Sequence, residues 1–143
     1  MLVRPSSASA VVLQLLAATV CLAVVGAPLL REPVLYFLFS FVCHQQPERS
    51  LWLAGAPMAV CARCAGIYFG ALLGLLLRVP GRRVLLLTAL GLLALDGISE
   101  AAGIRPSWDA IRWSTGCFAG MAGAAVCGEA WREWSKAKNA NPA

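Results

Sequence analysis

The sequence predicts an all-α integral membrane protein, a bundle of four transmembrane helices with a short interfacial or re-entrant helix after the first. Three observations carry that expectation. Hydrophobic residues make up 59% of the 143 residues and charged residues 13%, against about 25% charge in soluble domains. Four apolar stretches approach the roughly 20 residues that cross a hydrocarbon core as a helix. The basic residues stand singly or in pairs between these stretches. They form no patch interleaved with aromatics, so the net charge of +5 reads as membrane orientation rather than nucleic-acid binding. The length gives room for a single domain, 1–143.

The first expected span, about 8–30, carries no charge. Arg4 before it and the small residues Val25-Gly26-Ala27 near its end also fit a secretory signal. However, the run exceeds an h-region of about 7–15 residues and Pro28 would follow the cut, so a retained anchor is favoured. The segment 34–42 (Val34 to Val42) is apolar and aromatic but too short to cross; it reads as interfacial, re-entrant or packed over the mouth of the bundle. The second span is expected at about 60–79 and contains Arg63. The third, about 84–102, holds Asp96 and Glu100, and the fourth, about 111–130, runs from near Arg112 to near Glu129. A tail, 131–143, completes the chain.

Orientation follows the basic residues of the short loops. Four spans place Arg4, Arg78, Arg82, Arg83, Arg132, Lys136 and Lys138 on one face. The other receives Arg31, Arg49, Arg63, Arg105 and Arg112, balanced by Glu32, Glu48, Asp96, Glu100 and Asp109. Both termini and the Arg78–Arg83 loop are therefore expected to be cytoplasmic, with the protein in a bacterial cytoplasmic (inner) membrane and lipid its principal partner. Within the bilayer, small residues let helices approach closely. Gly66, Gly70 and Gly74 form such a stripe on the second span, open to another helix of the chain or to a second copy in a homo-oligomer. Gly116 and Gly120 offer another on the fourth.

Six cysteines would suggest a disulfide framework in a secreted mini-protein. Here Cys21, Cys117 and Cys127 lie in apolar runs, where cysteine acts as a small hydrophobe. Cys43, Cys61 and Cys64 lie in polar surroundings, and the only histidine, His44, adjoins Cys43. Two cysteines at i and i+3 present both sulfurs on one side of a helix opening, as zinc ligands and redox pairs both require. Cys43, His44, Cys61 and Cys64 together make a donor set suited to tetrahedral zinc, with copper(I) a softer alternative. Because adjacent residues do not always reach one ion, Cys43 or His44 can instead support the other.

Asp96 lies about 9 Å inside the third span, at 1.5 Å per residue from Ala102. Glu100 follows one turn later on the same face, and Arg63 and Arg112 enter at similar height. Intramembrane charges are costly and are paired or functional. This cluster reads either as an ion-pair network fixing the bundle or as partners of the metal site. Asp96, Glu100 and Glu48 are the candidate acid–base groups, and Arg49, Arg63, Tyr68 and Arg112 the supporting residues.

Three blocks, CHQQPERS at 43–50, VCARCAGIY at 60–68, and Asp96-Gly97 followed by Arg105, Arg112, Thr115 and Gly116, resemble the multi-pass membrane family known as domain of unknown function 2085. The likeness extends from about Phe39 to Gly120. Ala65 stands where the family pattern suggests threonine, and Glu100 where glutamine is common. The resemblance implies a multi-pass membrane protein with this motif set, and no established activity. The expected function is metal binding, most simply zinc, at the outward membrane face. A Cys61–Cys64 thiol–disulfide couple, with Cys117 as a mate for Cys43, is the alternative, and a structural or assembly subunit the third reading.

Overall fold

The computed structural model describes residues 7–77, 83–104, 106 and 108–140. Arg4, Arg78, Arg82 and Arg105 lie outside these residues, and for Arg132, Lys136 and Lys138 only the backbone is described. The chain runs α1 (Ser7–Leu30), α2 (Pro33–Ser40), a 3-10 turn (Pro47–Arg49), β1 (Trp52–Leu53), β2 (Ala56–Pro57), α3 (Ala62–Leu77), α4 (Arg83–Ala101) and α5 (Asp109–Ala140). Helix dominates, as expected, but one feature departs from the sequence reading. Residues 51–58 contain a two-stranded antiparallel hairpin, in which Trp52 pairs with Pro57 and Leu53 with Ala56. Its turn residues Ala54 (φ 52°) and Gly55 (φ 77°) both adopt the left-handed conformation that a two-residue hairpin turn with the right twist requires. Beyond the expected fourth span, α5 continues as helix through the tail to Ala140.

Two helices, Ala10–Leu30 within α1 and Arg83–Ala101, are long and apolar enough to cross a bilayer, and only 17% and 11% of their most apolar windows is buried within the molecule. That exposure separates them from the core helices of a soluble protein, which would hide their leucines. Leu15, Leu16 and Leu22 on α1 and Leu87, Leu92 and Leu95 on α4 all stand at the surface, an exposed apolar face of the kind that meets lipid or a partner. By contrast α3 has sixteen residues, about 24 Å of helix. The 32 residues of α5 are diluted by glycine, alanine and charge. At eight residues, or about 12 Å, α2 does not cross. Pro33 opens it at the position where a missing N–H costs nothing.

Helices α3 and α5 form the central pair, with α1 on the α3 side and α4 on the α5 side. The glycines make that pairing possible. A side chain at Gly70 would overlap the backbone of Cys117, and one at Gly120 would overlap the carbonyl of Ile67. Gly66 meets Trp113, Gly74 meets Met121, and Gly116 meets Arg63 in the same way. The stripe Gly66-Gly70-Gly74, which the sequence left open to a second copy of the chain, is therefore filled by α5 of the same chain. A homo-oligomer would have to use another face. At the far end of α3, Gln14 Nε2 donates to the Leu75 carbonyl (3.1 Å) and ties α1 to it.

Two caps place the chain at the end of the molecule that carries the polar residues. Helix α4 closes in a Schellman arrangement: Gly103 (φ 67°) donates to the Glu100 carbonyl (3.0 Å), and Ile104 donates to that of Ser99 (2.9 Å). Cys61 opens α3, since its carbonyl accepts the first helical bond from Ala65 (2.9 Å). Gly70→Ala should destabilise the detergent-purified protein by about 1–3 kcal/mol, because the atoms it meets are backbone and cannot swing aside. Gly123→Ala meets nothing within 4 Å and should be neutral or stabilising by up to about 1 kcal/mol. Thermal loss of helical circular dichroism measures both.

Candidate functional site

The sulfur site is assembled from two segments. Cys43 follows α2 directly, and its sulfur accepts the backbone N–H of Cys61 (3.2 Å). The ligand atoms of Cys43, Cys61 and Cys64 lie within 4.8 Å of one another. Cys43 is buried, Cys61 and Cys64 are half-buried, and none is in a disulfide. Zinc–sulfur bonds of about 2.3 Å at tetrahedral angles place sulfurs about 3.8 Å apart, so the group fits one ion with little adjustment.

Cys61 lies just outside α3, where helix-end N–H groups are available. Its thiol is held well below the ordinary range, first by a hydrogen bond from the Cys64 thiol and, against opposing burial, by the Cys64 backbone N–H, the Cys43 thiol and the Arg63 backbone N–H. A thiolate at Cys61 is the form that binds a metal ion.

His44 is exposed, and its ring is not part of the sulfur group. The four-donor set expected for zinc is therefore not brought together: Cys43 is buried among the sulfurs while its neighbour His44 is exposed. Cys117 is also outside the group; its backbone lines the α3–α5 contact. Around the sulfurs lies an apolar cluster of Val24, Met58, Val60 and Ala65, with Phe39, Tyr68 and Trp113 packed against it.

Gln45 holds this segment in place and was missed by sequence reasoning. In the left-handed region (φ 50°), it aims its amide back between two strands of chain, donating to the carbonyls of Tyr36 (2.6 Å) and Ala59 (2.8 Å). The Tyr36 hydroxyl donates to Pro57 (2.5 Å), and burial raises its pKa, which preserves that donor. Together they fasten α2 to the hairpin on either side of Cys43.

The ionic cluster lies beside the sulfurs. Arg63 Nε donates to Asp96 Oδ2 (3.1 Å), as does its Nη2, which also reaches Glu100 Oε2 (3.5 Å). Arg112 grips Glu100 with two donors, Nε to Oε2 (2.8 Å) and Nη2 to Oε1. Arg49 approaches Glu100 from the 3-10 turn (3.6 Å), and Asp109 approaches Arg112 (3.6 Å). Thr115 Oγ1 stands 3.4 Å from Asp96. The Arg112 and Asp96 side chains are each 2% exposed. Arg63 joins the two sites, its N–H turned to Cys61 and its guanidinium to the carboxylates. Glu48 is exposed on the 3-10 turn, and among the described residues no carboxylate belongs to the sulfur group.

With that geometry in hand, the relatives become informative. Residues 43–126 match the family described as predicted membrane protein (DUF2085), and the chain belongs to that family. An uncharacterized protein of Methanocaldococcus jannaschii is 40% identical over 97 residues, covering 61% of this chain and 62% of its own length. A second, from Methanothermobacter thermautotrophicus, is 39% identical over 90 residues, 58% of this chain and 81% of its own. The chain thus spans about three-fifths of the first relative. No solved structure matches.

Glu100→Ala should strand the buried Arg112 charge and cost about 3–5 kcal/mol. Combining it with Arg112→Met should recover much of that loss, as thermal unfolding of the two variants will report. Gln45→Glu keeps the size but sets a carboxylate against two carbonyls. It should loosen the Cys43 segment, seen as faster maleimide labelling of Cys43 by peptide mass mapping.

Proposed function

We propose that this membrane protein crosses the bilayer four times, through α1, α3, α4 and α5, and holds a thiophilic metal ion in its cysteine group at the outward face. The observation that carries the metal reading is the convergence of the Cys43, Cys61 and Cys64 sulfurs within 4.8 Å. Zinc fits with a fourth position filled by solvent or a substrate, and copper(I) fits in three-coordinate form. The exposure of His44 removes the donor that favoured zinc in the sequence. The residues would bind and enclose the ion, with the Arg63 backbone N–H donating to the Cys61 sulfur from the helix end.

Four crossings are supported by tryptophans on α5 and just before it. Trp108 and Trp131 are exposed and separated by 23 positions, about 35 Å of helix. That distance spans a hydrocarbon core of about 30 Å and leaves both rings at the headgroup level, where tryptophan is favoured. The balance of basic residues favours cytoplasmic termini in the cytoplasmic membrane.

Impermeant maleimide applied to sealed cells should label Ala54→Cys in the hairpin turn and leave Ala137→Cys near the end of α5 unlabelled. The reverse pattern overturns the orientation, and labelling of both overturns the odd number of crossings between them. Metal analysis of protein purified without reductant should give about one thiophilic ion per chain, lost in Cys61→Ser. A metal-free protein with a Cys61–Cys64 disulfide would instead establish the redox reading.

A further inference from the structure

We infer that Met58 is a fourth sulfur ligand and that the site is accordingly built for a soft monovalent d10 cation, copper(I), in preference to zinc. The inference rests on the metal reading of the three cysteines and adds a ligand and an ion class to it.

Three observations lead there. First, Met58 is 6% exposed and belongs to the same buried cluster as Cys43, against which Cys61 and Cys64 pack. Second, its backbone is pinned. The Met58 N–H donates to the Leu51 carbonyl (2.8 Å), extending the β1–β2 hairpin to the point where the chain turns toward Cys61. The hairpin thereby gives a fixed position to a side chain with three rotatable bonds, which could otherwise fill many gaps. Third, the histidine that would make the set mixed is exposed, and no carboxylate shares the group. The remaining wall is hydrocarbon and aromatic, from Val24, Val60, Ala65, Phe39 and Trp113, with Tyr68 bringing the one phenol among these side chains.

Thiolate and thioether donors select copper(I), whereas thioether is a poor partner for zinc, which takes thiolate, imidazole or carboxylate. Copper(I) is also satisfied by three sulfurs with the thioether as an additional weak donor. Zinc in the same pocket would have to draw its fourth donor from solvent or a substrate, whereas copper(I) would complete its set from sulfurs of the chain itself.

The test uses the full-length protein in detergent, handled anaerobically. Copper(I) is titrated in competition with a chromophoric copper(I) chelator, and Zn2+ in competition with a chromophoric zinc chelator. The expected result is one copper(I) per chain. Met58→Leu, which conserves apolar volume, should weaken copper(I) by at least about tenfold, or ~1.4 kcal/mol, and leave Zn2+ affinity within about twofold. Equal copper(I) affinity in Met58→Leu and wild type overturns the methionine ligand while leaving the cysteine site standing. Failure of wild type to bind either ion, or undiminished binding in Cys61→Ser, overturns the cysteine site itself. A direct readout covers a variant that fails to fold. In selenomethionine-labelled protein loaded with copper(I), X-ray absorption at the selenium edge should show a selenium–copper path at bonding distance, and its absence overturns the inference.

Discussion

The close approach of α3 and α5 is the constraint on which the rest of the molecule depends. The pair gains its stability from direct backbone contact, the mode by which small residues join helices where no hydrophobic drive is available. Gly66, Gly70 and Gly74 from one helix alternate with Gly116 and Gly120 from the other. The result is more than adhesion. Gly116 lies against the Arg63 peptide and Gly66 against that of Trp113, which brings the opening turns of both helices to the same end and the same depth. Arg63 and Arg112 can then face the last turns of α4 together, and the Cys61-x-x-Cys64 turn is held beside them.

That shared depth explains why so many charges are tolerated. Arg49, Arg63 and Arg112 face Asp96, Glu100 and Asp109, three of each sign. Asp96 lies five residues from the end of α4, about 7.5 Å of helix, so the cluster gathers at the end of that apolar helix. The pairs differ in value. Arg49 is 54% exposed and contributes little, whereas Arg112 is almost wholly buried and grips Glu100 bidentately. Such a pair adds little net stability over an apolar replacement, yet its disruption is costly. It fixes register between α4 and α5 rather than supplying adhesion.

The parts of this arrangement legible in sequence were those set by period and composition. The apolar runs located the helices, and the i, i+3 spacing of Cys61 and Cys64 located the sulfur pair. Intramembrane cost singled out Asp96 and its arginines. What was not legible depended on chain direction between helices. The hairpin at 51–58 lacks the Asn-Gly or Asp-Gly turn that announces one; its Ala54-Gly55 turn reads as ordinary apolar loop. Gln45 carries its meaning in a left-handed backbone conformation that composition does not encode. His44 looked inseparable from Cys43, but the structure buries Cys43 and leaves His44 exposed. The glycine stripes were visible, though pattern alone cannot tell a partner within the chain from one outside it.

The hairpin changes how the sulfur site should be understood. Without it, Cys43 and the cysteine pair would be joined by a long loop whose entropy works against a fixed site. With it, the segment from Leu51 to Met58 becomes a short rigid strut, and Gln45 and Tyr36 brace it against α2. The sulfurs are then held by backbone hydrogen bonds on one side and a helix end on the other. That support does not depend on the ionic cluster, whose side chains come from α3, α4, α5 and the 3-10 turn. The two sites share Arg63, but through different atoms: its N–H serves the sulfur and its guanidinium serves the carboxylates. Neutralising the guanidinium therefore acts first on helix register, and reaches the sulfurs through the turn that carries them.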